Sequence, residues 1–159
     1  MISLTRSLEH MSWSNQEIIK EISKLPDDVY ALRAAEGEWP VGRILYHFLI
    51  GSGEWYRYIL AGAKWSEVKK INSAEILLEI ADYIKELDSF LIEQSNLEDE
   101  RIKFESDSGS EETSRSLVLS QAVMHAAEHK GQLATILKAH GYFLDLDKYD
   151  HWAFENIKK

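Results

Sequence analysis

Leu4, Leu8, Met11, Asn15, Ile18, Ile22 and Leu25 follow one another at intervals of four and three residues without a break. Such a row stays on one side of a chain only if the chain is an α-helix, because successive side chains of a strand point to opposite faces. Pro26-Asp27-Asp28 stops the helix. The same spacing returns three times. A second helix opens at Pro40, whose missing N–H is not needed in a first turn, and carries Ile44, Leu45, Phe48, Trp55, Tyr58 and Ile59. A third follows Ser73, a natural N-cap with Glu75 and Glu79 behind it, and its stripe is Ile76, Ile80, Ile84, Leu87 and Leu91. The fourth begins near Thr113 or Ser114 and ends at His140-Gly141.

Two prolines and eight glycines are all that interrupt 159 residues. The pattern predicts an all-α fold forming one domain over residues 1–159, long enough to bury about 70% of its unfolded surface. Residues 61–72 are a connection, and a long polar loop, about 97–116, precedes the last helix. Within it Arg101-Ile-Lys-Phe104 alternates like a short extended piece, while Asp107 to Ser114 is flexible by composition. The tail from Tyr142 to Lys159 is aromatic and acidic, suited to covering an open end of the helices or packing on a second subunit.

Charge and cysteine content exclude several functions. Eighteen basic residues stand against twenty-seven acidic ones, a net charge of −9, with no lysine or arginine cluster, so a nucleic-acid backbone would be repelled. The absence of cysteine removes disulfides, thiolate ligands and a thiol nucleophile of the chain's own, and fits a reducing cytoplasm. No apolar block has the length of a signal peptide or membrane span, so the chain is expected to be soluble, cytoplasmic and free of membrane.

The histidines carry the chemistry. His125 and His129 lie four residues apart on the last helix, so both imidazoles leave one face with Cβ atoms about 5–6 Å apart. That spacing suits two ligands of zinc or a similar first-row ion, and the pair occupies the stripe of Val118, Ala122 and Ile136, where core residues belong. A third ligand is required. His47 stands in the second helix among large apolar residues, sharing a face with Ile44, Gly51 and Trp55, and a histidine so placed needs a partner. Gly51 and Gly53 nearby point to close packing or to room for a substrate. His140 is excluded, since its eleven-residue separation from His129 puts it roughly 16 Å further along the helix. His10 reads as an interface residue and His151 as a lesser candidate for a fourth ligand. Asn15 is expected to be partly exposed or bonded to backbone, and the third helix offers no histidine and no recognisable core carboxylate. Three neutral imidazoles leave a divalent cation with an open position, the arrangement of catalytic rather than closed structural sites.

The strings Trp39-Pro-Val-Gly-Arg-Ile-Leu-Tyr-His47 and His125-Ala-Ala-Glu-His129-Lys-Gly-Gln132, with Trp13-Ser-Asn15 and Leu25-Pro26, resemble the DinB/YfiT-like family along almost the whole chain. The resemblance implies a four-helix bundle with an up-down-down-up course, a zinc or nickel ion on His47, His125 and His129, and a homodimer. Some relatives in that family are transferases or isomerases that use a low-molecular-weight thiol. Lys130 departs from the arginine common before Gly-Gln, with consequences for an anionic substrate or cofactor, and Pro40 departs from the usual Ser or Thr cap.

Three functions follow as expectations. The first is a metal-dependent, thiol-dependent transferase or isomerase of small electrophiles, in which the sulfur must come from outside a cysteine-free chain; Glu54 and Glu128 are conceivable acid–base groups. The second is a metallohydrolase, because His125-Ala-Ala-Glu128-His129 fits the string H-x-x-E-H. The third is a non-catalytic bundle stapled by its ion, or a binding module.

Overall fold

The computed structural model describes residues 3–157. Residues 1–2 and 158–159, the ends of the expected domain and tail, lie outside the described residues. Helix α1 spans Leu4–Ile22 and is capped by Ser3, whose hydroxyl accepts from the Arg6 amide at 3.2 Å. Leu8, Met11, Asn15, Ile18 and Ile22 of the expected seam are buried, joined by Ser14 and Ile19. The helix ends before Leu25 because the amides of Lys24 and Leu25 bond three residues back rather than four, tightening the last turn ahead of Pro26.

After a short 3-10 turn at Asp27–Ala31, α2 (Val41–Tyr46), a π-helical turn (His47–Gly51) and α3 (Ser52–Ala61) form one continuous helical run. Gly62 closes it in the left-handed conformation, φ 64°. The connection that follows lies directly on the start of α2: a β-carbon on Gly42 would stand 2.0 Å from the carbonyl oxygen of Ile71. Glu54, only 1% exposed, holds the same connection, accepting from the Ser66 amide at 3.1 Å, from Tyr83 Oη and from Arg57 at 3.0 Å.

Ser73 caps α4 (Ala74–Glu79), with its hydroxyl 3.3 Å from the Ile76 amide. The expected third helix breaks at Ile80, where the backbone turns to φ −95° and ψ 0°, and resumes as α5 (Ala81–Gln94). Across the break the buried stripe shifts by one position, so that Leu77 is fully buried and Ile76 half-buried.

The loop expected before the last helix is instead a β-hairpin, so the protein is mostly helical but not all-α. Strands β1 (Arg101–Ser106) and β2 (Gly109–Ser114) pair antiparallel, with Ser106 opposite Gly109. Gly109 adopts φ 109°, which suits glycine at the turn exit. Only β1 has an inward face: Phe104 meets the Trp55 ring edge-on at 5.8 Å, and Tyr58 Oη donates to the Glu105 carbonyl at 3.0 Å. In β2 every side chain is polar or absent, so the strand is made by backbone pairing and leaves no hydrophobic alternation to read.

Helix α6 (Arg115–Ala139) is capped by Ser114 and stopped by Gly141 at φ 86°. A 3-10 turn at Leu146–Tyr149 leads into α7 (His151–Ile157), which folds back on α1 through buried Phe154 and an Arg6–Glu155 ion pair. Helix α1 packs on α5 and α6, and the α2–α3 run packs on the same two helices. Their shared core includes Leu8, Ile18, Ile44, Leu49, Ile84 and Leu133. Among the described residues no helix is long and apolar enough to cross a membrane.

Candidate metal centre

His47 heads the π-helical turn, in which the Ser52 amide bonds the His47 carbonyl five residues back. The extra residue shifts the register by one position. Ser52 rather than Gly51 therefore comes under His47, and its hydroxyl donates to the His47 carbonyl at 2.9 Å. On α6 the i, i+4 spacing sets His125 and His129 side by side, and the packing of α6 against the π-turn brings His47 to them. His47 Nε2 and His129 Nε2 each lie 3.0 Å from His125 Nε2, and the three ligand atoms fall within 4.8 Å of one another. The rings stand nearly perpendicular, at 78°, 86° and 86° in the three pairs. The structure thus assembles the three histidines singled out in the sequence, each half-buried, into a cluster that could hold a metal ion.

The hydrogen bonds behind the rings decide the tautomers. Ser52 spends its proton on the His47 carbonyl, so its oxygen can only accept from His125 Nδ1–H, 3.1 Å away. The Gln132 carbonyl oxygen likewise accepts from His129 Nδ1–H at 2.8 Å. Both Nε2 atoms are then bare lone pairs. Two bare nitrogens facing each other at 3.0 Å repel unless a cation lies between them. Nitrogens bound tetrahedrally at about 2.0–2.1 Å sit roughly 3.3–3.4 Å apart, so each of the two pairs at 3.0 Å needs only a few tenths of an ångström of opening to match zinc. Acceptors behind the rings in this way are what fix the orientation of ligating histidines.

Burial favours the neutral form of His125 and His47. Burial pushes His125 down to about 4, with His129 and His47 adding to the effect. Burial also lowers His47, followed by the charges of His129 and Arg43. Trp39 meets the His47 ring edge-on at 5.0 Å, and Phe48 stacks on His129 at 6.0 Å. A cavity of about 380 Å³ has His47, Ser52, Trp39 and Trp55 in its wall and opens one side of the cluster. A larger one, about 810 Å³, touches none of the three histidines but adjoins the first through Trp39, Arg43 and Tyr46, so of the two only the smaller reaches the cluster.

Other residues considered from the sequence fall elsewhere. His10 Nε2 lies 2.7 Å from the Tyr149 carbonyl and its ring stacks on His151 at 3.9 Å, so His151 belongs to the α1–α7 contact and not to the cluster. His140 bonds the Arg33 carbonyl. Glu54 is committed to Arg57, Tyr83 and Ser66, and Glu128 is exposed on α6. Gly53 serves close packing, since a β-carbon there would meet Leu87 Cδ1 at 3.0 Å; Gly51 has only ordinary contacts.

Asn15, expected to be partly exposed or bonded to backbone, is 1% exposed and donates instead to the carboxylate of Asp88, at 2.9 Å from Oδ2. Asp88 is the core carboxylate missed in the third helix, for a single polar residue beside the apolar stripe gives no local sign of burial. Lys130, read as a contact for an anionic ligand, is itself buried. Its ammonium donates to Ser14 Oγ at 2.5 Å and faces Asp88 across the core.

Neither the curated proteins nor the solved structures contain a match to the chain. The model of the DinB family matches it over residues 1–153, and the chain belongs to that family.

Proposed function

Starting from that membership, we propose that the chain holds a divalent transition-metal ion, zinc or nickel, on His47, His125 and His129, and acts as a thiol-dependent transferase or isomerase of small electrophiles. The observation that carries the reading is the pair of bare Nε2 atoms on His125 and His129, 3.0 Å apart, with both Nδ1 protons already engaged. When bound, such an ion supplies a Lewis acid that lowers the pKa of a thiol or water at its open position. The chain's own part is to hold the three donors. Ser52 and Gln132 orient two rings, Trp39 and Phe48 pack against His47 and His129, and Trp55 lines the opening beside His47. No cysteine exists in the sequence, so a sulfur nucleophile must enter as a ligand, and the cavity of about 380 Å³ beside His47 gives it a way in.

That opening favours exchange at the ion over a sealed staple. The hydrolase reading loses its base, because Glu128 lies on the exposed face of α6. The scaffold reads as a four-helix bundle of α1, α2–α3, α5 and α6 with an up-down-down-up course. Thr5 with Ser95 and Gln16 with Ala81 run α1 against α5, and His47 with His129 and Ser52 with His125 run the second helix against α6. The acting form is taken to be a homodimer working on a small molecule.

The test is elemental analysis of untagged protein beside the His47→Ala/His125→Ala/His129→Ala variant. One equivalent of transition metal in the first and none in the second is expected. Titrating cobalt-loaded protein with a small thiol should then change its visible spectrum; an unchanged spectrum sinks the thiol reading while leaving the metal.

A further inference from the structure

We propose that Arg43 is the specificity residue for the acidic group of a small organic acid with an apolar body, bound so that its other end reaches the histidine cluster. Arg43 stands four residues before His47, about 6 Å along the same helical run. It lines both cavities, at the wall they share with Trp39 and Tyr46. Its guanidinium lies 4.2 Å from the Trp39 ring centroid, a cation–π contact that uses none of its hydrogen-bonding capacity. Among the described residues it forms no ion pair, whereas Arg6, Arg57, Arg101 and Arg115 each have a carboxylate.

The charge balance of the cleft agrees. Arg33, Arg43 and Lys70 line the larger cavity against Asp27 and Glu38, and Asp27 is occupied in accepting from the Ala74 amide at 2.9 Å. On a chain of net charge −9 a local cation is what admits an anion. Beside His47 the wall is aromatic, with Trp39, Tyr46, Trp55 and Trp65 and no other charged side chain than Arg43. An acid held at Arg43 thus places an apolar body on the tryptophans and its far end at the cluster. The inference rests on the metal-centre reading only for which end of the ligand faces His47; the acid subsite is separate.

The probes are phenylacetate and its neutral isostere phenylacetamide, titrated by calorimetry and tryptophan fluorescence into wild type, Arg43→Gln, Arg43→Lys and the triple-histidine variant. Wild type is expected to prefer the acid by at least about tenfold, the size of a hydrogen-bonded charge contact. Arg43→Gln should abolish that preference without changing affinity for the amide, and Arg43→Lys should keep part of it. The triple-histidine variant should keep it in full. Equal affinity for acid and amide in wild type, no saturable binding of the acid at millimolar concentration, or a preference that survives Arg43→Gln would overturn the assignment. A preference lost in the triple-histidine variant but kept in Arg43→Gln would do so too, by assigning the acid to the ion and leaving the metal reading intact.

Discussion

Ser52 and His125, seventy-three residues apart, meet at 3.1 Å, and the contact sets the tautomer of the central ring in the cluster because the serine proton is already given to the His47 carbonyl. One hydroxyl thereby couples the π-turn to α6.

Ser52→Ala should therefore weaken metal binding by about 10–100-fold, the usual cost of losing a partner behind a ligating histidine. Helix content should not change, since the Ser52 amide that makes the π-turn remains. Competition against a chromophoric chelator measures the first and circular dichroism the second. An affinity equal to wild type would mean that His125 needs no acceptor.

Acid should destabilise the metal-free protein in a defined window. In the fold His125 stays neutral down to about 4, whereas an unfolded imidazole takes its proton near 6.5. Between those values the unfolded chain binds more protons, so the contribution is fully present above 6.5, is lost as pH falls towards 4, and is constant below. His47 and His10 are lowered in the same direction, both chiefly by burial. Urea midpoints between pH 8 and pH 4 should fall through this window, and His125→Ala should flatten part of the slope. A slope that the substitution leaves untouched would assign the acid sensitivity to other groups.

The buried Asp88 and Lys130 should prove strongly coupled. Burial pushes Asp88 up to about 6 and Lys130 down to about 7, and each charge eases the burial of the other. Asp88→Ala should cost about 3–5 kcal/mol by leaving the ammonium uncompensated, while Asp88→Leu with Lys130→Met should cost less than the sum of the two single changes. Urea denaturation of the four proteins provides the cycle, and simple additivity would show that the two groups are independent.

Two glycines of the second helical run should differ in their response to alanine. At Gly42 the new β-carbon would lie 2.0 Å from the Ile71 carbonyl oxygen, part of a backbone that cannot rotate away; at Gly53 the tightest contacts are Leu87 Cδ1 at 3.0 Å and its Cβ at 3.2 Å, which a shift of a few tenths of an ångström relieves. Gly42→Ala should cost about 1–3 kcal/mol and displace the 62–73 connection, whereas Gly53→Ala should be milder, because a helical alanine regains up to about 1 kcal/mol of propensity. Thermal melts rank the pair, and an equal or reversed order would contradict the packing described.

Local pattern made the helices and the candidate ligands legible. The 4-3 seam of α1 depends only on residues within a few turns, as do the Ser73 and Ser114 caps and the glycine stop at Gly141. His125 and His129 share a face for the same reason, and His47 stood out as a lone imidazole among apolar neighbours. What escaped the pattern has its cause far along the chain. The β2 strand exists because its backbone pairs with β1, Gly42 is needed because Ile71 lies on it, and Asn15 is buried because Asp88 waits across the core.

Neighbouring residues alone were enough to coil the chain into helices with three histidines on inward faces, since backbone periodicity is a local property. Packing of distant segments is what makes those imidazoles converge, puts Ser52 instead of Gly51 beneath them, and closes a hairpin over Trp55. Each of these follows from a change of register or a long-range contact, whose energy is realised only when distant segments pack together.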